Sequence, residues 1–286
     1  RRPGTDLLLS GLALYPASLS RRLLIDAPPV VLNVMLPGTR GAVAAGLFEI
    51  ARKISTIPLV VRQAFQYVMA PLASAQARAD RAAIGPLYHF ASRVSTALVV
   101  PLAGLLIFAG ADILSVYGAE AAAALPLLVI LVAARAAEAV MGPATPVVEM
   151  TGHRILPLVN SLLGATLWAL LSLLLVPDLG PLGMAIAVAA ATLLITFAAT
   201  LELRLSDGLS PFDGKLLAGL AVALAGVALM ALAVHLTGGP ARFASVLLLW
   251  AATSWCALRL GLTRSDREAL GPLARRLRLV RTNGTS

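Results

Sequence analysis

The chain has 286 residues, 59% of them apolar, 5% aromatic and 13% charged, with a net charge of +9. A soluble domain carries about 25% charged residues, so this composition excludes a disordered chain and argues against a soluble globular one. The single cysteine, Cys256, excludes an internal disulfide, and His89, His153 and His235 lie too far apart to form a metal-ligand motif, so no metal or cofactor is expected.

The chain opens at Arg1 without a methionine or a signal-peptide pattern, and a front part is expected to precede it. A helix that crosses a bilayer takes ~20 mostly apolar residues. The hydropathy pattern predicts eight such spans, at roughly 7–36, 42–73, 84–109, 121–144, 155–176, 182–203, 215–236 and 243–261. The fold class is therefore all-α: a polytopic membrane protein. Pro37-Gly38 divides the first pair of spans and Ser74 to Arg81 the second. Pro177-Asp178-Leu179-Gly180-Pro181 and Thr237-Gly238-Gly239-Pro240 read as tight turns.

The first two spans are the most polar. Ser18, Arg22, Asp26 and Asn33 fall near one face of the first, with Arg21 beside them. Arg22 and Asp26 have the i,i+4 spacing of an ion pair, and Pro28-Pro29 predicts a kink. On the second span Glu49, Arg52, Lys53, Thr56, Gln63, Gln66 and Tyr67 make one polar stripe, interrupted by Pro58. Arg21, Arg22, Arg52, Lys53 and Arg62 face only Asp26 and Glu49, an excess of three positive charges. In a low dielectric such an excess calls for an anion, and arginine binds phosphate with a two-pronged fork. At ~1.5 Å per residue the two clusters come to nearly the same depth of the bilayer. The competing account is structural: ion pairs that fix the spans, with Arg62 reaching toward headgroups.

Further along, Arg93 reads as preceding the hydrocarbon core, because the purely apolar run begins only near Ala97. Arg135, Glu138, Thr145 and Glu149 form a second polar face broken by Pro143 and Pro146, with Arg135 and Glu138 as a structural pair. Asn160, Ser161 and Trp168 read as polar helix–helix contacts, and Arg259 as a span-end side chain directed at headgroups.

Lysine and arginine collect on the cytoplasmic side of membrane proteins. One alternate set of connections, together with both termini, holds 13 of the 23 basic residues, and the other set holds only Arg40 and Arg242. Both ends are therefore expected in the cytoplasm, with anionic membrane lipid, not nucleic acid, accounting for the basic charge.

The stretch Ala45-Gly46-Leu47-Phe48-Glu49-Ile50-Ala51-Arg52-Lys53 resembles the start of the eighth span of Wzx-type polysaccharide flippases, in the multidrug/oligosaccharidyl-lipid/polysaccharide exporter superfamily. Met69 to Ser74 resembles the end of that span, and Pro101 to Phe108 with Asp112 to Gly118 the following helix and loop. Leu179 to Ala187 resembles a glycine-rich turn of the same family. The match runs over about residues 5–205. It implies that 1–205 form the six-helix C-terminal lobe of a two-lobed transporter, with two additional helices in 206–262 and a basic cytoplasmic tail in 263–286. The front lobe would be a missing partner. The resemblance also implies a substrate, an undecaprenyl-diphosphate-linked oligosaccharide for cell-surface polysaccharide, moved across the bacterial inner membrane. Cavity-facing basic residues carry over as Arg22, Arg52 and Lys53, and the candidate site adds Glu49, Asp26, Arg21 and Gln63.

Two rival readings differ in class. A cation-coupled multidrug exporter of the same superfamily would want buried carboxylates without an arginine excess. A membrane glycan polymerase or ligase would need a sizeable external loop and an acidic or nucleophilic constellation, which the sequence lacks. No enzyme activity is expected.

Overall fold

The computed structural model describes residues 22–61, 63, 84–150 and 155–270. Ser18, Arg21, Arg62, Gln66, Tyr67, the Ser74–Arg81 connection and the tail beyond Leu270 lie outside the described residues. Among the described residues the regular structure is helical throughout. In chain order it comprises α1 (22–35), α2 (Thr39–Ser55), α3 (Ile84–Phe108) and α4 (Gly110–Ser115). A 3-10 turn (Ala119–Ala124) leads into α5 (Leu125–Met141), α6 (Ala144–Met150), α7 (Leu156–Leu179) and α8 (Pro181–Ser206). The chain continues through α9 (Gly214–Leu236), α10 (Gly239–Gly261) and the short α11 (Arg264–Ala269).

Six of these segments are long and apolar enough to cross a membrane: 84–108, 119–141, 156–179, 181–206, 214–236 and 241–261. They coincide with the last six predicted spans to within a few residues. The differences at their ends have local causes. α7 runs through Pro177 to Leu179, so the predicted five-residue turn shrinks to Gly180, whose φ of 57° reverses the chain directly into Pro181. α5 stops at Met141 ahead of Gly142 and Pro143, as the paired prolines require. In α1, by contrast, helix continues through Pro28 and Pro29, so the pair does not interrupt it. Pro58 does interrupt its helix: α2 ends at Ser55, Thr56 is a turn, and helix resumes at 57.

The helices form a wall in which α3 is the most enclosed member. α3 packs on α5 along one side and on α9 and α10 along the other, while α5 packs on α8 and α8 on α7. α2 lies across α5 and α8. The largest core joins Leu32 of α1 and Phe48, Ala51 and Ile54 of α2 to Leu128 and Val132 of α5 and Met184 and Ala191 of α8. A second joins Val94, Ala97 and Val100 of α3 to Ala223, Ala257 and Leu258 of the last two long helices.

Membrane helices gain little from hiding apolar surface from lipid, so close backbone packing matters more. The α9–α10 seam shows this: a Cβ placed on Gly261 would stand 2.9 Å from the Gly219 Cα. On the α7–α8 seam the Met184 sulfur accepts from Trp168 Nε1 at 3.4 Å and Ser172 Oγ at 3.6 Å. Asn160 Nδ2 donates to Glu202 Oε2 at 2.8 Å, so Asn160, Ser161 and Trp168 are buried polar contacts within the wall.

Two measurements follow from this packing. Gly261→Val should cost about 1–3 kcal/mol of stability, because the obstacle is backbone and cannot move aside. Gly238→Ala, where an added Cβ meets nothing within 4 Å, should be near neutral. The helix order also puts Gly239 and Ser210 at opposite ends of the wall. In a Cys256→Ala background, single cysteines at the two positions should react with an impermeant maleimide from opposite sides of the membrane. Labelling of both from one side would contradict the alternation.

Candidate functional site

Glu49, Arg52 and Lys53 lie in the last two turns of α2, three and four residues apart and so on one side of the helix. The C-terminal turn suits cations, because unpaired carbonyls there carry partial negative charge. Arg52 donates from Nε to Glu49 Oε2 at 2.7 Å and from Nη2 to Oε1 at 2.6 Å. This bidentate pair occupies the Nε–Nη2 edge of the guanidinium and leaves the Nη1–Nη2 edge facing away from it. Lys53 Nζ stands 3.9 Å from Glu49 Oε1, and its side chain is 70% exposed. Glu49 therefore neutralises Arg52 closely and Lys53 only loosely.

The helix end just beyond is tied to these residues. Ser55 Oγ donates to the Arg52 carbonyl and Thr56 Oγ1 to the Lys53 carbonyl. Pro58 has no N–H to give the carbonyl of Ile54, and its ring would press on that carbonyl, so α2 breaks here. The break sets Arg52 and Lys53 at a helix terminus inside the predicted second span.

From α1, Asp26 lies within electrostatic reach of Arg52. Arg22, Asp26 and Asn33 are exposed on α1, and Gln63 is exposed beyond the break. The Arg22–Asp26 ion pair that the i,i+4 spacing allows is absent: among the described residues no ion pair joins them, and both are exposed. Of the predicted site residues, the structure brings together Glu49, Arg52 and Lys53, with Asp26 in range. Arg22 and Gln63 stand apart on the same exposed helices, and Arg21 is outside the described residues.

Several other charges on the long helices have partners. Arg135 Nη1 donates to Glu138 Oε2 at 2.8 Å, with the Glu138 side chain 8% exposed. Arg259 lies over the Trp255 ring, 5.0 Å from its centroid. At the α4 end of the wall, Arg242 Nη2 donates to Asp112 Oδ1 at 2.5 Å.

The partners of Arg93 are what sequence reasoning missed. The Arg93 side chain is 10% exposed and held between two carboxylates. Nη1 donates to Asp266 Oδ2 at 2.5 Å, and Nη2 and Nε donate to the two oxygens of Asp213. Asp213 also caps α9 by accepting from Leu216 N at 2.8 Å, and Asp266 forms a capping box with Thr263 at the start of α11. Partial burial pushes the Asp213 carboxyl up, but the bonds from Arg93 and the Leu216 amide outweigh it and hold the group below its ordinary value. The partners lie 120 and 173 residues away in sequence. The only sequence signals were an arginine without a local acid and two aspartates in helix-capping contexts.

Among the described residues no group of three His, Cys, Asp or Glu side chains is arranged to hold a metal ion.

Fold and charge pattern together define a multi-pass α-helical membrane protein whose first two described helices carry an exposed, charged face. No family model and no curated protein matches the chain. One solved structure that it resembles is a MOP superfamily transporter from Pyrococcus furiosus Vc1 (DSM3638), whose binding pocket of reverse polarity suggests a different function for that protein. The TM-score is 0.49 and the identity 16%, over 88% of this chain and 61% of that one.

The Arg135–Glu138 pair gives a test of charge burial. Removing one partner leaves a charge in apolar surroundings, so Arg135→Ala should destabilise by about 3 kcal/mol, whereas Arg135→Met with Glu138→Met should lose much less. Thermal unfolding in detergent of the two single variants and the double variant measures both.

Proposed function

We propose that this chain is a wall of a lipid-linked oligosaccharide flippase, moving an undecaprenyl-diphosphate glycan across the bacterial inner membrane, with both of its ends in the cytoplasm. The observation that carries the reading is a contrast between faces. The exposed sides of α7 and α9 hold leucine, valine and alanine, with ionisable residues only near their ends, and such surfaces suit lipid. The exposed sides of α1 and α2 hold Arg22, Asp26, Asn33 and Lys53, interspersed with apolar residues such as Ile25, Val30, Val34 and Val43. Hydrocarbon does not tolerate such a face, so it suits a water-filled cavity or a second wall. Lys53 and the outer edge of Arg52 together make an electropositive end to that face, and a diphosphate is a fitting ligand for it. A second lobe would supply the opposite wall, and rocking of the two lobes about the site would give alternating access. The lipid carrier and the glycan enter through the resemblance to Wzx-type flippases.

Arg52→Ala should abolish or greatly reduce export of the lipid-linked glycan at near-normal protein abundance. Arg52→Lys should recover only part of it, since a point charge lacks the fork. Arg259→Ala, which loses only a contact with Trp255, serves as the control and should export normally. Loss of abundance in proportion to loss of export would make Arg52 a structural residue. Unchanged export with unchanged abundance would remove the basic site from the mechanism.

A further inference from the structure

The last two long helices could belong to the wall or merely lean on it. We infer that Arg93 is a positioning residue that fastens the α9–α10 pair to α3, so that the pair is a fixed part of the wall and not a separable hairpin. This inference does not rest on the flippase reading.

Three observations converge on it. Arg93 projects from α3, yet both of its carboxylate partners sit on the far element: Asp213 at the head of α9 and Asp266 just past the end of α10. The guanidinium therefore bridges both ends of the hairpin that reach this side of the membrane. His89, one helical turn earlier on α3, makes a further contact with the Ser210 carbonyl at 2.7 Å, in the loop that leads to α9. At the opposite end of the wall, Asp112 beyond α3 pairs with Arg242 of α10. Between these ends α3 and the pair share the apolar core of Val94, Ala97, Ala223, Ala257 and Leu258.

The chemistry gives Arg93 the larger share. Its side chain and that of Asp266 are each 10% exposed, so water screens the bridge poorly. Without the guanidinium, Asp213 and Asp266 would face each other as like charges in partly dry surroundings, and the hairpin would be pushed off α3. Arg242 and Asp112 are about one-third exposed, so the pair they form is the weaker fastening.

The test replaces the bridge with a covalent bond on the same seam. A Cβ built on Gly104 of α3 would lie 3.6 Å from the Val227 Cβ of α9 and 3.1 Å from the Met230 Sδ, a flexible side-chain end that has to give way by a few tenths of an ångström. The Cβ–Cβ separation is within the ~3.5–4.5 Å range of disulfides. In a Cys256→Ala background, Gly104→Cys with Val227→Cys should oxidise nearly completely in the membrane, read as a gel-mobility shift on the intact chain. In the reduced protein, Arg93→Gln should lower the thermal midpoint by roughly 10 °C. In the oxidised protein the same change should cost less than half as much, because the tether holds what the guanidinium held. Asp266→Asn, which keeps the Asp213 bond, should show the same redox dependence with a smaller shift.

A poor disulfide yield in the parent would show that α3 and α9 are not held together. Equal destabilisation with and without the tether would make Arg93 a local neutraliser of two acids and not a fastening. Either result overturns the inference.

Discussion

A charge taken out of water must find a partner, and much of the organisation of this wall follows from that cost. Moving an unpaired ion into an apolar interior costs several kcal/mol even after the protein relaxes. Arg93, Arg135 and Arg242 all sit on long helices, and each meets a carboxylate. The same constraint decides where the lipid lies. α7 and α9 turn leucines outward and keep ionisable residues to their ends, whereas α1 and α2 turn out Arg22, Asp26, Asn33 and Lys53 among exposed valines and an isoleucine. On the proposed reading, a bilayer covers the first kind of surface and a water-filled cavity or second wall meets the charged residues of the second.

Pairing alone does not hold helices together. Where the wall is tightest the contacts are made by residues without bulk: Gly219 against Gly261, and the run of Gly183, Ala185, Ala187 and Ala191 on the buried side of α8. Small residues let backbones approach, and dispersion then acts over many atoms at once. The charged pairs add direction to this packing. Arg135 and Glu138 lie on one helix and so satisfy each other locally, but Arg93 joins α3 to two separate elements. Loss of the first leaves a local defect, whereas loss of the second releases a hairpin.

How much of this was legible beforehand depended on range in sequence. The last six spans were readable because hydropathy is a local property, and their boundaries shifted only where a proline or glycine acted within a turn, as at Pro177 and Gly180. The Arg135–Glu138 pair was readable because an i,i+3 spacing fixes its geometry in any helix. The Arg93 bridge was not, because no spacing rule connects residue 93 to residues 213 and 266. Arg22 and Asp26 show the limit of the spacing rule: i,i+4 permits a pair, but on an exposed face two solvated side chains gain too little to be held together. For the candidate site, the stripe on α2 was legible from spacing, and the Glu49 chelation of Arg52 was foreshadowed only as a spacing. What spacing could not give was the asymmetry of that trio, with Arg52 clamped and Lys53 free to project.

That asymmetry bears on what the site can do. A bare arginine in a membrane cavity would bind an anion tightly and release it slowly. With Glu49 already on one edge of the guanidinium, an incoming phosphate does not meet the full charge of Arg52; it meets the remaining edge together with Lys53. On the proposed flippase reading, the free energy of capture would thereby be reduced and release made easier, as a carrier needs at both ends of its cycle. The helix break at Thr56, set by Pro58, adds to this moderation, since the terminal carbonyls of α2 already favour the two cations. If the site takes a diphosphate, as we propose, its charge suits turnover: Lys53 and the outer edge of Arg52 would attract the anion, and Glu49 and the helix end would moderate its hold.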